Sequence, residues 1–92
     1  MIRRRAVIQG RVQGVGFRYS AGGQASRLGI SGFARNRKDG SVEVEIEGDE
    51  TSVETMLAWL ESGPHRADVT SVTVSDRDPA GDTEFRISHE VD

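Results

Sequence analysis

GFARNRKDGSVEVEIEG, residues 32–48, reads as a β-hairpin whose register decides how the remaining elements are arranged. Its second arm alternates strictly. Val42, Val44 and Ile46 fall on one face, while Glu43, Glu45 and Glu47 fall on the other, the pattern of a strand with one side on a core and the other toward water. Two turns compete for the connection. A three-residue loop, Lys38-Asp39-Gly40, with Gly40 in the left-handed region, sets Arg37 opposite Ser41, Asn36 opposite Val42, Arg35 opposite Glu43 and Ala34 opposite Val44. A two-residue Asp-Gly turn sets Ala34 against Glu45 and Arg35 against Val44 instead. The longer loop pairs opposite charges and keeps Ala34 in the apolar set, so it is the register expected.

Working outward, residues ~4 to 12 alternate, with Ala6, Ile8, Gly10 and Val12 on one face, as in a half-buried strand. After a glycine-rich loop, Ala21, Ala25 and Leu28 recur at helical spacing over Tyr19 to Leu28, and Gly29 supplies the stop. Beyond the hairpin, residues ~50 to 62 form an amphipathic helix with Val53, Met56, Leu57 and Leu60 inward, ended by Gly63-Pro64. Val69, Val72 and Val74 lie in a fourth strand. Phe85 and Ile87 mark a short last segment that reads as strand.

Strand, helix, strand, strand, helix, strand is the order of the ferredoxin-like βαββαβ sandwich, an α+β fold in which two helices cover one face of an antiparallel sheet. The first crossover makes strands one and two parallel, with the third between them. Their carboxyl ends then share one edge, which makes the loop after Val12 a neighbour of Asn36. An asparagine near a turn ordinarily caps backbone. The position opposite the glycine loop makes Asn36 a functional candidate as well.

Ninety-two residues suffice for a single domain with one core. The absence of cysteine rules out disulfides and thiolate metal sites and fits a reducing compartment. The basic opening MIRRR is followed by an apolar run of only Ala6 to Ile8, too short for a signal peptide or membrane span, so a cytoplasmic protein is expected. The net charge of −3 conceals a polarised chain. Residues 1–40 carry nine basic residues and one acid, a balance of +8; residues 41–92 carry three arginines and fourteen acids, a balance of −11. The first forty residues would attract an anion, although many of these charges can pair across one small domain.

The stretch GRVQGVGFRY, residues 10–19, is a glycine-rich turn between a strand and a helix. Such a turn aims successive backbone N–H groups at one spot, where the helix dipole also favours negative charge. Gly14 and Gly16 allow positive φ, Val15 and Phe17 would anchor the loop to the core, and Arg18 adds a planar fork that can hold two phosphate oxygens. A tight turn with an incidental surface arginine is the plainer reading of the same residues. Neither the P-loop nor the dinucleotide template fits, since Tyr19 stands where a third glycine would be needed.

The residues Gly10-x-Val12-Gln13-Gly14-Val15-x-Phe17-Arg18 resemble the first signature of the acylphosphatases, and Gly32-Phe33-Ala34-Arg35-Asn36, followed by Gly40, Val42 and Gly48, is similar to the second. Leu28-Gly29, Gly63-Pro64, Arg66-Ala67 and Phe85-Arg86-Ile87 extend the resemblance along essentially the whole chain, as a single acylphosphatase-like domain of residues 1–92. The resemblance implies hydrolysis of the carboxyl-phosphate bond of acyl phosphates to carboxylate and inorganic phosphate, with no metal or cofactor. By position, Arg18 would bind the phosphoryl group and Asn36 would orient the attacking water, with the amides of Gly14, Val15, Gly16, Phe17 and Arg18 completing a phosphate cradle. Leaving-group chemistry agrees: a carboxylate with a conjugate-acid pKa of about 4 departs without a strong general acid. His65 and His89 lie far along the sequence and read as surface residues.

The principal alternative is a noncatalytic phosphate- or small-molecule-binding module of the same fold. An RNA-binding sheet is disfavoured, because Glu43, Glu45 and Glu47 occupy the outward face and aromatics make up only 5% of the chain. The partners expected are therefore small molecules, an acyl phosphate and inorganic phosphate, with no nucleic acid and no membrane, and a monomer is the expected state. Gly22 and Gly23 depart from the family's usual helix, each costing about 0.5–1 kcal/mol relative to alanine. Either the helix is locally weak or a close helix–helix contact demands small residues.

Overall fold

Alternation along the hairpin and the first strand builds a five-stranded sheet. The computed structural model describes residues 1–91, as β1 (Ile2–Arg11), α1 (Phe17–Leu28), β2 (Ser31–Asn36), β3 (Val42–Gly48), α2 (Glu50–Leu60), β4 (Asp68–Arg77) and β5 (Phe85–Val91). Asp92, counted among the acids above, lies outside the described residues. The strand order is β4-β1-β3-β2-β5. The first four strands are antiparallel neighbours in the expected ferredoxin-like order, with β3 between the mutually parallel β1 and β2. The expected antiparallel sheet becomes mixed because β5 joins parallel to β2. Phe85 and Ile87 do alternate as strand residues, but alternation within one strand carries no information about its partner.

The hairpin has the three-residue loop. Ala34 pairs with Val44, Arg35 with Glu43 and Asn36 with Val42. The Arg37 N–H donates to the Ser41 carbonyl at 2.9 Å, and Gly40 sits at φ 93°. Asp39 closes the loop, its Oδ1 accepting from the Ser41 hydroxyl at 2.6 Å and the Ser41 N–H at 2.9 Å. These bonds, the hydroxyl first, hold the Asp39 carboxyl below its ordinary pKa.

The core lies between the helices and one sheet face. Ala6, Ile8 and Val12 from β1 and its end, Ala34 from β2 and Val42, Val44 and Ile46 from β3 meet Phe17, Ala21 and Ala25 of α1 and Val53, Met56 and Leu60 of α2. Leu57, expected inward, is only partly buried, because it sits at the margin of α2 beside Val69 and Val72 of the edge strand β4. Asp49 caps α2 by accepting the Ser52 N–H at 3.0 Å.

The opposite sheet face differs from the expectation that Glu43, Glu45 and Glu47 face water. Glu43 and Glu47 are only 3% and 5% exposed. Glu43 is clamped between the guanidinium groups of Arg5 and Arg35. Arg3, itself buried, reaches Glu45 at 2.7 Å, Glu47 at 3.0 Å and Asp82 at 3.0 Å. Glu47 also accepts the backbone N–H groups of Ala80 at 2.7 Å and Gly81 at 3.1 Å, which fastens the segment before β5 to the sheet. The physical reason is that β3 is central, so long arginine stems from both neighbouring strands lie across its outer face. Burial alone would raise the Glu43 pKa; the two arginines outweigh it and the carboxyl lies below its ordinary value. Glu47 is lowered chiefly by the Ala80 N–H. Among the described residues, no buried side-chain nitrogen or oxygen lacks a partner, the condition under which buried charges are tolerated. Much of the charge polarity along the sequence thus cancels here.

The two helix glycines have different settings. A Cβ on Gly22 would lie 3.0 Å from Ile87 Cδ1, so the close contact is with β5 and not with the other helix. A Cβ on Gly23 would meet nothing within 4 Å. Gly23→Ala is therefore expected to stabilise the fold by about 0.5–1 kcal/mol, raising Tm by roughly 2–8 °C. Gly22→Ala should give a smaller gain or a loss, since the Ile87 methyl must shift. Thermal unfolding followed by circular dichroism checks both, and a lower Tm for Gly23→Ala would contradict this packing.

Candidate active site

Beyond β1, the chain turns through residues 12–16 and enters α1 at Phe17, two residues before the expected Tyr19. Buried and exposed residues alternate through this turn. Val12, Val15 and Phe17 point into the core, while Gly14 and Gly16 face outward. The Phe17 ring packs 5.7 Å from Trp59, and a Cβ on Gly63 would come within 2.6 Å of it, so the start of α1 is wedged against the end of α2. Gly14 has φ 74° and Gly16 φ 77°, values that side-chain-bearing residues rarely adopt, yet a Cβ on either would meet no atom within 4 Å. Backbone conformation, not crowding, requires glycine here, and the space over both residues is open.

Gly16 occupies the N-cap of α1 with no side-chain cap, and no acidic residue lies in the first turn. The first helical bond runs from the Ser20 N–H to the Gly16 carbonyl at 3.0 Å. The amides ahead of Ser20 have no intrahelical acceptor, and the dipole of α1 ends among them. The result is a cluster of donors at an open turn, with the positive end of the helix dipole and no acidic residue in the first turn of α1.

Arg18 is partly buried, and its Nη1 donates to the backbone carbonyl of Ser88 in β5. One N–H of the fork is thereby fixed, which orients the group beside the loop. Asn36 is the last residue of β2, partly buried, on the same sheet edge as the end of β1. Among the described residues, no hydrogen bond ties down its side-chain amide.

Gln13 joins the two halves. Its Nε2 donates to the Arg37 carbonyl at 2.8 Å and to the Ser41 carbonyl at 2.9 Å, the residues adjoining Asn36 and its pair partner Val42. One amide side chain thus locks the glycine loop against the hairpin that carries Asn36. Sequence reasoning counted Gln13 in the signature without a structural role. The available signal was a lone amide in an otherwise apolar and glycine loop, facing a hairpin end that topology had already made its neighbour.

The sequence pattern that marks β5 as a strand does not reveal its contribution to this site. It supplies the Arg18 acceptor through Ser88, and its backbone continues beside Asn36. His89, far from the loop in sequence, has its ring 6.1 Å from the Tyr19 ring. His65 is exposed on the segment after α2, as expected.

Comparisons with known proteins point the same way. The family model described as acylphosphatase matches residues 4–87. An acylphosphatase of Anaeromyxobacter dehalogenans is 48% identical over 81 residues, covering 88% of this chain and 87% of the relative. One of Thermococcus kodakarensis is 48% identical over 80 residues, covering 87% and 88%. The crystal structure of acylphosphatase from Bacillus subtilis superposes with a TM-score of 0.93 at 34% identity, covering 97% of this chain and 100% of that one. With a family model spanning nearly the whole sheet and relatives matching at about half of all aligned positions, the chain belongs to the acylphosphatase family.

Proposed function

We propose that the protein hydrolyses acyl phosphates at the carboxyl-phosphate bond, with the phosphoryl group seated on the loop amides of Gly14 to Arg18. The observation carrying this reading is the open, uncapped N-terminus of α1 with Arg18 beside it. The amides and the guanidinium meet the equatorial oxygens, where charge is carried in the transition state. The Asn36 amide holds a water for in-line attack. The water oxygen bonds to phosphorus, and the phosphorus–oxygen bond to the acyl group breaks. The electron pair leaves with the carboxylate, and the protons of the water pass to the phosphate product and solvent. A carboxylate leaving group accounts for the lack of a general acid in this assignment. Fixed donors and a positioned water suffice, so the reaction needs neither metal nor cofactor. Every residue comes from one chain, so a monomer can carry it.

The test is hydrolysis of benzoyl phosphate and acetyl phosphate in heavy-oxygen water, followed by mass spectrometry of both products. Label is expected in inorganic phosphate, with an undiminished rate in the presence of a chelator. Label in the carboxylate would place attack on carbon and overturn the mechanism. Phosphate binding without hydrolysis of either compound would support the noncatalytic module instead.

A further inference from the structure

Tyr19 follows Arg18 in the first turn of α1 and is left 59% exposed. The core makes no use of this ring. It lies 6.1 Å from the His89 ring at an interplanar angle of 47°, a tilted aromatic pair on the protein surface. His89 is exposed too, and it directly follows Ser88, whose carbonyl holds the Arg18 guanidinium. The two rings therefore flank the same contact, one from each element that makes it. Phe85 and Ile87 face Gly22 of α1, and the contact of the His89 ring with Tyr19 places it on the α1 side of β5 as well.

An acyl phosphate carries its acyl carbon one bridging oxygen away from phosphorus. With the phosphoryl group on the loop and Arg18, the acyl group has to lie against whatever surface adjoins them. The loop offers bare glycine, and the hairpin side offers the polar groups of Gln13 and Asn36. The exposed aromatic surface adjoining Arg18 on its own helix and on β5 is the Tyr19–His89 pair. We propose that Tyr19 and His89 form a platform for the acyl group and select flat, aromatic acyl chains over small ones. This proposal rests on the phosphoryl site assigned to the loop and Arg18.

The test compares kcat/KM for benzoyl phosphate and acetyl phosphate in the wild type, Tyr19→Ala, Tyr19→Phe and His89→Ala. Stacking of an aromatic pair corresponds to a factor of roughly three to ten, so the benzoyl-to-acetyl ratio should fall by about that much in Tyr19→Ala. Tyr19→Phe should keep the ratio, and His89→Ala should lower it. A wild-type ratio in Tyr19→Ala overturns the platform, whether both rates fall together or neither changes. Arg18→Ala, assayed alongside, separates the two levels of failure. If it is inactive while Tyr19→Ala keeps the ratio, the platform alone fails; if it turns over normally, the phosphoryl site fails and the platform with it.

Discussion

Arg18→Ala is expected to lower turnover of benzoyl phosphate by at least about 10³-fold, the scale of an arginine that stabilises a transferring phosphoryl group. Charge and shape both contribute. The loop amides supply dipoles but no net charge, and Arg18 lies in the uncapped first turn of α1, which carries no acidic residue. Its planar fork can bond two phosphoryl oxygens at once, and one of its N–H groups is already steadied by the Ser88 carbonyl. Arg18→Lys should recover little, because a point charge on a flexible stem cannot reproduce the fork. The fold should survive. Truncation at Arg18 removes its hydrogen bond to Ser88, worth about 1 kcal/mol, and the Ser88 carbonyl can turn to water. Steady-state kinetics beside a thermal melt makes the check, and normal turnover in a folded variant would remove Arg18 from the mechanism.

Asn36→Ala is expected to reduce kcat by about 10²-fold or more, the scale on which misplacing a reacting group by about an ångström is felt. Affinity for inorganic phosphate should persist, because in the proposed mechanism the amide acts on the water and not on the phosphoryl oxygens. Stability should change little, since among the described residues no hydrogen bond depends on that side chain. A variant with unchanged kcat would leave Asn36 with no role beyond ending β2.

The strands and their register were legible because they depend on local pattern. Three alternating glutamates opposite Val42, Val44 and Ile46, with Arg35 available for Glu43, left one register that used every residue. The neighbourhood of Asn36 and the glycine loop followed from crossover geometry, and the Gln13 bonds to Arg37 and Ser41 hold the two together. What escaped was long-range. The burial of Glu43 and Glu47 depends on arginines from β1 and β2 and on amides near residue 80, which no window of sequence joins. Alternation at Phe85 and Ile87 identified a strand but could not say that it would lie parallel to β2 and bring Ser88 to Arg18. The space around Gly22 is likewise set by Ile87, 65 positions later in the chain, and not by the second helix.

In the mechanism proposed above, two side chains divide the labour: Arg18 to hold the phosphoryl group and Asn36 to hold the water. The most direct measurement of that division is calorimetric titration of inorganic phosphate into the wild type, Arg18→Ala and Asn36→Ala. Binding should be retained in Asn36→Ala and abolished in Arg18→Ala. Loss of phosphate binding in Asn36→Ala, or its retention in Arg18→Ala, would contradict this division.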